Sequence, residues 1–141
     1  MPNHDQAVHV ERTIRVVEPK QITAAGNIPK SIEEFVGRVA SGDSTVSIAR
    51  MKSPSGWVEP PQSPEFDEFT VVLSGELHIE SEGKTHVVKA GQALCVKGGV
   101  RVRYSTPGAQ GAEYIAVCLP AFSPSAVHRE MSCEENQKSN H

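Results

Sequence analysis

Four carboxylic acids lie close together between residues 59 and 68, and they are the side chains most able to do chemistry. Carboxyl groups held in different environments can divide general-acid and general-base roles, because burial away from cations raises the pKa of one of them. Glu68 begins an apolar, strand-like run, so it is the best candidate. The alternatives are that Glu68 only accepts hydrogen bonds that organise the fold, and that the cluster is a solvated loop. The four acids are Glu59, Glu65, Asp67 and Glu68.

The elements that must position these acids are short β-strands. From Ser44 onward, β-rich runs of about four to eight residues alternate with turn sequences rich in Ser, Gly and Pro. This spacing is typical of an antiparallel sandwich or barrel. The predicted strands are 13–17, 45–52, 68–73, 76–80, 85–89, 93–97, 101–105 and 113–119.

One helix is expected before the barrel, at 31–39. Ser31 followed three residues later by Glu34 forms a capping box. Apolar residues then recur at helical spacing. They are Ile32, Phe35, Val36 and Val39.

The length of 141 residues predicts one ordinary domain. An N-terminal strand and helix, 1–43, are expected to pack on the barrel, 44–120. A C-terminal segment, 121–131, follows, and then a polar tail, 132–141, which lacks periodicity and is expected to be disordered.

The run GWVEPPQSPEFDEFTVVLSG, which begins at Gly56, resembles the first sequence motif of the cupin family. That motif reads glycine, five residues, His-x-His, three or four residues, glutamate, six residues, glycine. Gly56, Glu68 and Gly75 fall on its spacing. Gln62 and Pro64 stand at the two histidine positions.

The run GQALCVKGGVRV, from Gly91 to Val102, resembles the second cupin motif, in which Lys97 replaces a proline and Val102 a histidine. The resemblance implies an all-β cupin barrel, a double-stranded β-helix or jelly roll. Over about residues 44–120 the chain is similar to cupins without metal-binding histidines, such as the cupin domain of the ethanolamine-utilisation Q family. The kinase chemistry of that family is not expected, since the chain has no GxxxxGK[ST] phosphate loop.

The departures from the motifs decide the cofactor prediction. An amide and two apolar side chains replace the imidazoles that Mn, Fe, Ni, Cu and Zn prefer, so tight transition-metal binding and a cofactor are not expected. The alternative is a weakly held divalent metal on an oxygen site. Its ligands would be Glu59, Gln62, Glu65 and Glu68.

Strand alternation assigns the side chains of the two motifs to faces, because successive residues point to opposite sides. Glu68 is placed inside the barrel because its counterpart in cupins lies there. The inward positions are then Glu68, Thr70, Val72, Val100, Val102 and Tyr104. The outward positions are Phe69, Val71, Leu73, Arg101 and Arg103.

The interior predicted in this way suits a small, partly polar molecule. We expect an enzyme of isomerase, lyase or cyclase type in which Glu68, assisted by Tyr104 or Gln62, moves a proton. The alternative is a non-catalytic module that binds a small ligand, favoured by the loss of the metal ligands without an obvious replacement catalyst. The segment before His128 could fold over the barrel mouth or form a surface turn. The predicted ligand-binding residues are Glu59, Gln62, Glu65, Val72, Val102 and His128.

Charge and composition limit the partners. The net charge is −3 with both signs interspersed, so no basic stripe favours nucleic acid or a membrane surface. The start of the chain lacks the apolar stretch of a signal peptide, and a cytoplasmic location is expected. A homodimer is predicted because cupins pair through outer sheet faces and Val71 and Leu73 are outward. The alternative is that these side chains form the core between two sheets.

Overall fold

The computed structural model describes residues 13–130, which form antiparallel strands and contain no α-helix. The predicted all-β fold class is confirmed, and the predicted helix is not. The strands are β1 (Lys20–Gln21), β2 (Ser31–Val36), β3 (Ser47–Ser53), β4 (Trp57–Val58), β5 (Asp67–Ser81), β6 (Lys84–Lys89), β7 (Ala93–Val96), β8 (Arg103–Thr106) and β9 (Ala112–Leu119), followed by a 3-10 turn at Pro124–Ala126.

Strand β5 is long and bent, and it belongs to both halves of the curled sheet. Its first part pairs with β7 and β9, and its second part pairs with β6 and β8. The register shifts between Val72 and Ser74. At Gly75, φ is +74°, and a Cβ would lie 2.0 Å from the carbonyl oxygen of Gly111. Only glycine fits this bend, which explains why β5 reads as two strands, 68–73 and 76–80, in the sequence.

The inner faces of the strands enclose the main core. Thr70 and Val72 on β5 are each 1% exposed, whereas Val71 is 45% exposed, so the predicted alternation on this strand is confirmed. Val102 is also buried, but Val100 is 37% exposed, and its predicted inward position is wrong. Strand β8 begins only at Arg103, so alternation does not extend back to Val100. The core cluster is Trp57, Val72, Leu77, Ile79, Val88, Val102, Tyr104, Ala112 and Tyr114.

The predicted helix at 31–39 is wrong, because its first six residues form strand β2 between β1 and β3. Glu34, the acidic residue of the apparent capping box, binds backbone N–H groups of the turn that follows β2. The buried Glu34 carboxylate accepts hydrogen bonds from the backbone N–H groups of Val39 at 3.0 Å and Ala40 at 2.9 Å. Glu34 therefore caps the turn after the strand, and pairing with β3 overrides the helical spacing.

We expect Glu34→Ala to lower the free energy of unfolding by about 1–3 kcal/mol, because two N–H groups lose their acceptor in a buried turn. Urea denaturation monitored by fluorescence measures this loss. The matched control is Glu33→Ala, next to it on the same strand and less buried. Equal losses for the two variants would show that the Glu34 carboxylate does not organise the turn.

The strand predicted at 13–17 is also wrong, since no strand forms before Lys20 among the described residues. Ile14 and Val16 are each 94% exposed. The segment is held by Arg15, whose guanidinium binds the Asp43 carboxylate at 3.0 Å. The tail predicted to be disordered, 132–141, lies outside the described residues. Nowhere in 13–130 is there a helix with the length and apolar character needed to cross a bilayer.

Candidate functional site

A cavity of about 520 Å³ opens between the inner face of the sheet and the segments that flank it. Strands β2, β3, β5 and β9 form its wall, and residues from 21–25 and 122–129 line its edges. Apolar and polar side chains mix on this wall, as expected for a small-molecule site. The polar residues that line the cavity include Lys30, Glu59, Gln62, Glu68, Tyr104 and Arg129.

Glu68 and Tyr104 form a buried pair in the cavity wall. The Tyr104 hydroxyl donates a hydrogen bond of 2.9 Å to Glu68 Oε1. Burial raises the pKa of Glu68, while the bond from Tyr104 and the charge of Lys30 oppose this rise. Burial and the neighbouring Glu68 raise the pKa of Tyr104 well above its usual value, so it stays a neutral donor. The pair is a desolvated carboxyl held in place by a phenol.

Glu59, two residues after Trp57 of β4, supplies a second buried carboxyl group. Its backbone N–H donates to the carbonyl oxygen of Tyr104 at 3.1 Å, which fixes the segment beside β8. Glu59 Oε2 is buried and has no hydrogen-bond partner among residues 13–130. Burial raises the pKa of Glu59 to about 7, against the opposing charges of Lys30 and Arg129. An orphaned buried oxygen of this kind is costly unless a ligand satisfies it.

Lys30, immediately before β2, brings an ammonium group into the cavity. Its Nζ donates to the Tyr114 hydroxyl at 2.9 Å and lies 3.4 Å from Met51 Sδ and 4.0 Å from the centre of the Trp57 ring. No carboxylate in the described part of the chain forms an ion pair with it. Burial lowers the pKa of Lys30 to about 8, although Glu59 and Glu68 oppose the change.

The C-terminal segment brings Arg129 to the cavity mouth. The segment runs beside residues 62–65: Ser63 N–H donates to the Val127 carbonyl oxygen, and Gln62 forms a bridge with Arg129. Arg129 Nη2 then donates to Gln62 Oε1 at 3.2 Å. Arg129 is exposed as a residue, but it lines the cavity, so a cation is available to an entering ligand.

The structure brings together some of the residues predicted for the site and separates others. Glu59, Gln62, Glu68 and Tyr104 all line the cavity. Four other predicted ligand-binding residues do not line it. Glu65 and His128 are exposed and form an ion pair with each other, because the C-terminal segment turns His128 outward. Val72 and Val102 are packed into the core instead.

Lys30 and Arg129 are absent from the predicted site, although both line the cavity. Lys30 belongs to no recognisable motif, and only the pairing of β2 with β3 brings it into the barrel. The sequence offers one indication for Arg129, which stands beside His128. Their segment is expected either to fold over the barrel mouth or to form a surface turn.

The three positions where cupin motifs place imidazoles do not fit a histidine-type metal site. Gln62 is engaged by Arg129, and Pro64 and Val102 are buried. Among residues 13–130, no group of three or more His, Cys, Asp and Glu side chains is arranged to hold a metal ion. The alternative oxygen site also lacks one of its ligands, since Glu65 pairs with His128 outside the cavity.

Comparison with known proteins identifies the family. The sequence model of the Cupin domain family matches residues 49–118, the region of the barrel strands. This chain belongs to the cupin superfamily. In fold, this cupin is similar to the polyketide cyclase RemF from Streptomyces resistomycificus, with a TM-score of 0.68 and 16% identity over 92% of each chain.

Two curated relatives share part of their length with this cupin. It is 46% identical over 101 residues to the endoribonuclease YbeY of Myxococcus xanthus, covering 72% of this chain and 34% of that protein. It is 36% identical over 56 residues to the acetate kinase EutQ of Salmonella typhimurium, covering 40% of this chain and 24% of that protein. The chain thus spans about a third of the length of the first relative and about a quarter of the length of the second. The activities of those whole proteins are not assigned to this cupin.

Proposed function

We propose that this cupin is an enzyme that moves a proton on a small metabolite without a histidine-bound metal, as an isomerase, lyase or cyclase does. The observation that carries the proposal is the buried Glu68–Tyr104 pair in the cavity wall. A carboxyl group whose pKa is raised by burial is suited to general acid or base catalysis near neutral pH.

Tyr104 fixes the direction of the Glu68 carboxyl group. Its hydrogen bond reaches Oε1, and no other side-chain or backbone donor of residues 13–130 bonds this carboxyl. Oε2 is therefore the oxygen available to take or give a proton. Since the Tyr104 phenol stays neutral, it stabilises the carboxylate form without competing for the proton.

Glu59 and Arg129 give the cavity the other groups that a proton transfer needs. A carboxyl group with a pKa of about 7 can return a proton at a second position, so the two acids divide base and acid roles. The Arg129 guanidinium at the mouth favours an anionic substrate, because five N–H donors in a planar fork match a carboxylate.

The second candidate function is that of a binding module, and the orphaned oxygen of Glu59 favours it. A ligand that donates a hydrogen bond to Oε2 would relieve the cost of its burial without any reaction. Binding alone therefore does not distinguish the two functions. Exchange of a substrate hydrogen does.

The test begins with a thermal-shift screen of 2-oxo acids, hydroxy acids and sugars. Each compound that raises the melting temperature is then incubated with the protein in D₂O and followed by proton NMR. Loss of a carbon-bound hydrogen signal over many turnovers supports the enzyme, and a thermal shift without exchange or conversion supports the binding module. Elemental analysis of the same sample should find little transition metal. Stoichiometric Mn, Fe, Ni or Zn that survives dialysis against chelator would contradict metal-independent chemistry.

We also propose that this cupin forms a homodimer through the outer face of β5 and its neighbours. Phe69, Val71 and Leu73 are 40%, 45% and 50% exposed. Val71 is paired with Ile115 of β9, which continues the apolar surface. The core lies on the opposite face, so these side chains are not the core between two sheets, and a second copy would cover them.

Light scattering on a sizing column should give the mass of two chains at micromolar concentration. Val71→Glu is expected to give one chain, because it places a charge in an apolar interface. The control is Thr85→Glu, at a strand position on β6 that is also exposed. A monomer mass for the wild-type protein would remove the proposal.

A further inference from the structure

Lys30 is the cavity cation whose nitrogen the proposed proton transfer does not use. Its surroundings are the Trp57 and Tyr114 rings, the Met51 thioether and the Tyr114 hydroxyl. A lysine kept only for stability would be expected to pair with a carboxylate. Lys30 instead donates to the Tyr114 hydroxyl, forms no ion pair with a carboxylate among residues 13–130, and lines a partly apolar cavity.

We propose that Lys30 forms an imine with small 2-oxo acids in this cavity. The proposal rests on the proposed function, because the imine would activate the substrate for proton transfer by Glu68. Amines in apolar pockets serve as nucleophiles for carbonyl substrates when enough of the neutral form is present. The substrate class follows from charge: Arg129 at the mouth meets the carboxylate, while Lys30 meets the carbonyl carbon.

The protonation state of Lys30 supports this role. With a pKa of about 8, roughly half of the side chain is the free amine at pH 8. An exposed lysine with an ordinary pKa near 10.5 is less than about 1% free amine at that pH. Lys30 is therefore the more reactive amine under conditions in which surface lysines remain charged.

The chemistry balances with Glu59 as the proton carrier. The Nζ lone pair forms a bond to the carbonyl carbon, and the carbonyl oxygen takes a proton from the Glu59 carboxylic acid. The resulting carbinolamine returns the nitrogen proton to Glu59, which then protonates the hydroxyl group so that it leaves as water. The products are water and an iminium ion beside the Glu59 carboxylate. Glu59 is the carboxylate whose charge acts most strongly on Lys30, and its Oε2 has no hydrogen-bond partner among residues 13–130.

The iminium ion explains why Glu68 would act on the same molecule. A positively charged C=N bond accepts the electron pair left behind when a proton is removed from the adjacent carbon. Glu68 Oε2 is the free oxygen on the cavity wall that would accept this proton.

The experiment is reductive trapping. The protein is incubated at pH 8 with pyruvate or 2-oxobutyrate and cyanoborohydride, which reduces an imine to a stable secondary amine. Intact-mass and peptide analysis should find one adduct, on Lys30. Lys30→Arg keeps a positive charge without a nucleophile and should lose this adduct, as should Lys30→Met. Circular dichroism confirms that each variant is folded.

Two further variants separate the possible outcomes. Arg129→Met should lower trapping by pyruvate but not by neutral butanone, because only pyruvate carries a carboxylate. Glu68→Gln should still be trapped while losing hydrogen exchange in D₂O. Hydrogen exchange without an adduct on Lys30 would overturn the imine and still support proton transfer. An adduct on Lys30 without hydrogen exchange would support the imine and overturn proton transfer. Labelling that is the same in wild type and Lys30→Arg, or absent from Lys30 with both acids, also overturns the imine.

Discussion

Replacing Glu68 by Gln is expected to slow proton transfer on the substrate by about 10²-fold or more. Gln keeps the size of the side chain and an oxygen that can accept the hydrogen bond from Tyr104. It removes the titrating group, so the lost rate measures general acid or base catalysis and not a change of shape. The rate is read as deuterium incorporation by NMR on a compound found in the thermal-shift screen.

Stability provides the second readout for this variant. Burial raises the pKa of Glu68 in the folded state, which disfavours the charged form of its carboxyl group. The folded state therefore loses stability as the pH rises above the pKa that Glu68 has in the unfolded chain. Glu68→Gln should therefore melt at the same temperature as the wild type or higher at neutral pH. The control is Glu18→Gln, the same change at an exposed position.

A different pattern would assign Glu68 a structural role. If Glu68 only organises the barrel, the Gln variant would shift the melting temperature while exchange or ligand binding persisted. Tyr104→Phe refines the comparison, because it removes the hydrogen bond and leaves the carboxyl group. Ligands that stabilise wild type, Glu68→Gln and Tyr104→Phe equally would bind elsewhere and contradict the site.

The parts of the site predicted from sequence are those fixed by strand periodicity and motif spacing. The inward position of Glu68 on β5 follows from its place in the cupin motif. That of Tyr104 near the start of β8 follows from alternation, because successive residues of a strand point to opposite faces. Gln62 is found because it stands at a position where the cupin motif has a histidine. Val72 was placed on the correct face but assigned to a ligand site, since alternation tells which side a residue faces and not how tightly it is packed there.

The parts that were not predicted depend on tertiary contacts. Glu34 has the spacing of a helix cap, and only the neighbouring strands of β2 decide that it caps a turn. Lys30 carries no local signal, because a lysine that follows a proline is usually a surface residue. Its role arises only when β2 is added beside β3. Arg129 stands beside His128 in a segment that drew attention in the sequence, but only the pairing of this segment with Gln62 places it at the mouth.

The second large effect concerns two buried groups of the cavity, Lys30 and Glu59, whose charges act on each other. Their pKa values, about 8 and about 7, differ from the ordinary 10.5 and 4.5 because burial disfavours both charges. Between pH 4.5 and 7 the folded chain holds a proton on Glu59 that the unfolded chain has lost, so stability falls as the pH rises. Between pH 8 and 10.5 the unfolded chain binds the extra proton on Lys30, so stability rises again. This pair alone predicts a stability minimum near pH 7 to 8.

Replacing both residues, as Lys30→Met with Glu59→Gln, should raise the free energy of unfolding at pH 7.5 by about 1–3 kcal/mol, because buried charges cost more than packed neutral groups of similar size. The double variant should also lose the minimum in a series of urea titrations from pH 5 to pH 10. Each single variant should gain less, since it leaves the remaining group buried without its opposite charge. A wild-type profile without this minimum, or a double variant less stable than both single variants, would mean that the two groups are held by contacts worth more than their burial costs. If the expected gain is found and the wild-type protein is trapped on Lys30, the cavity keeps its charges for chemistry at the expense of stability.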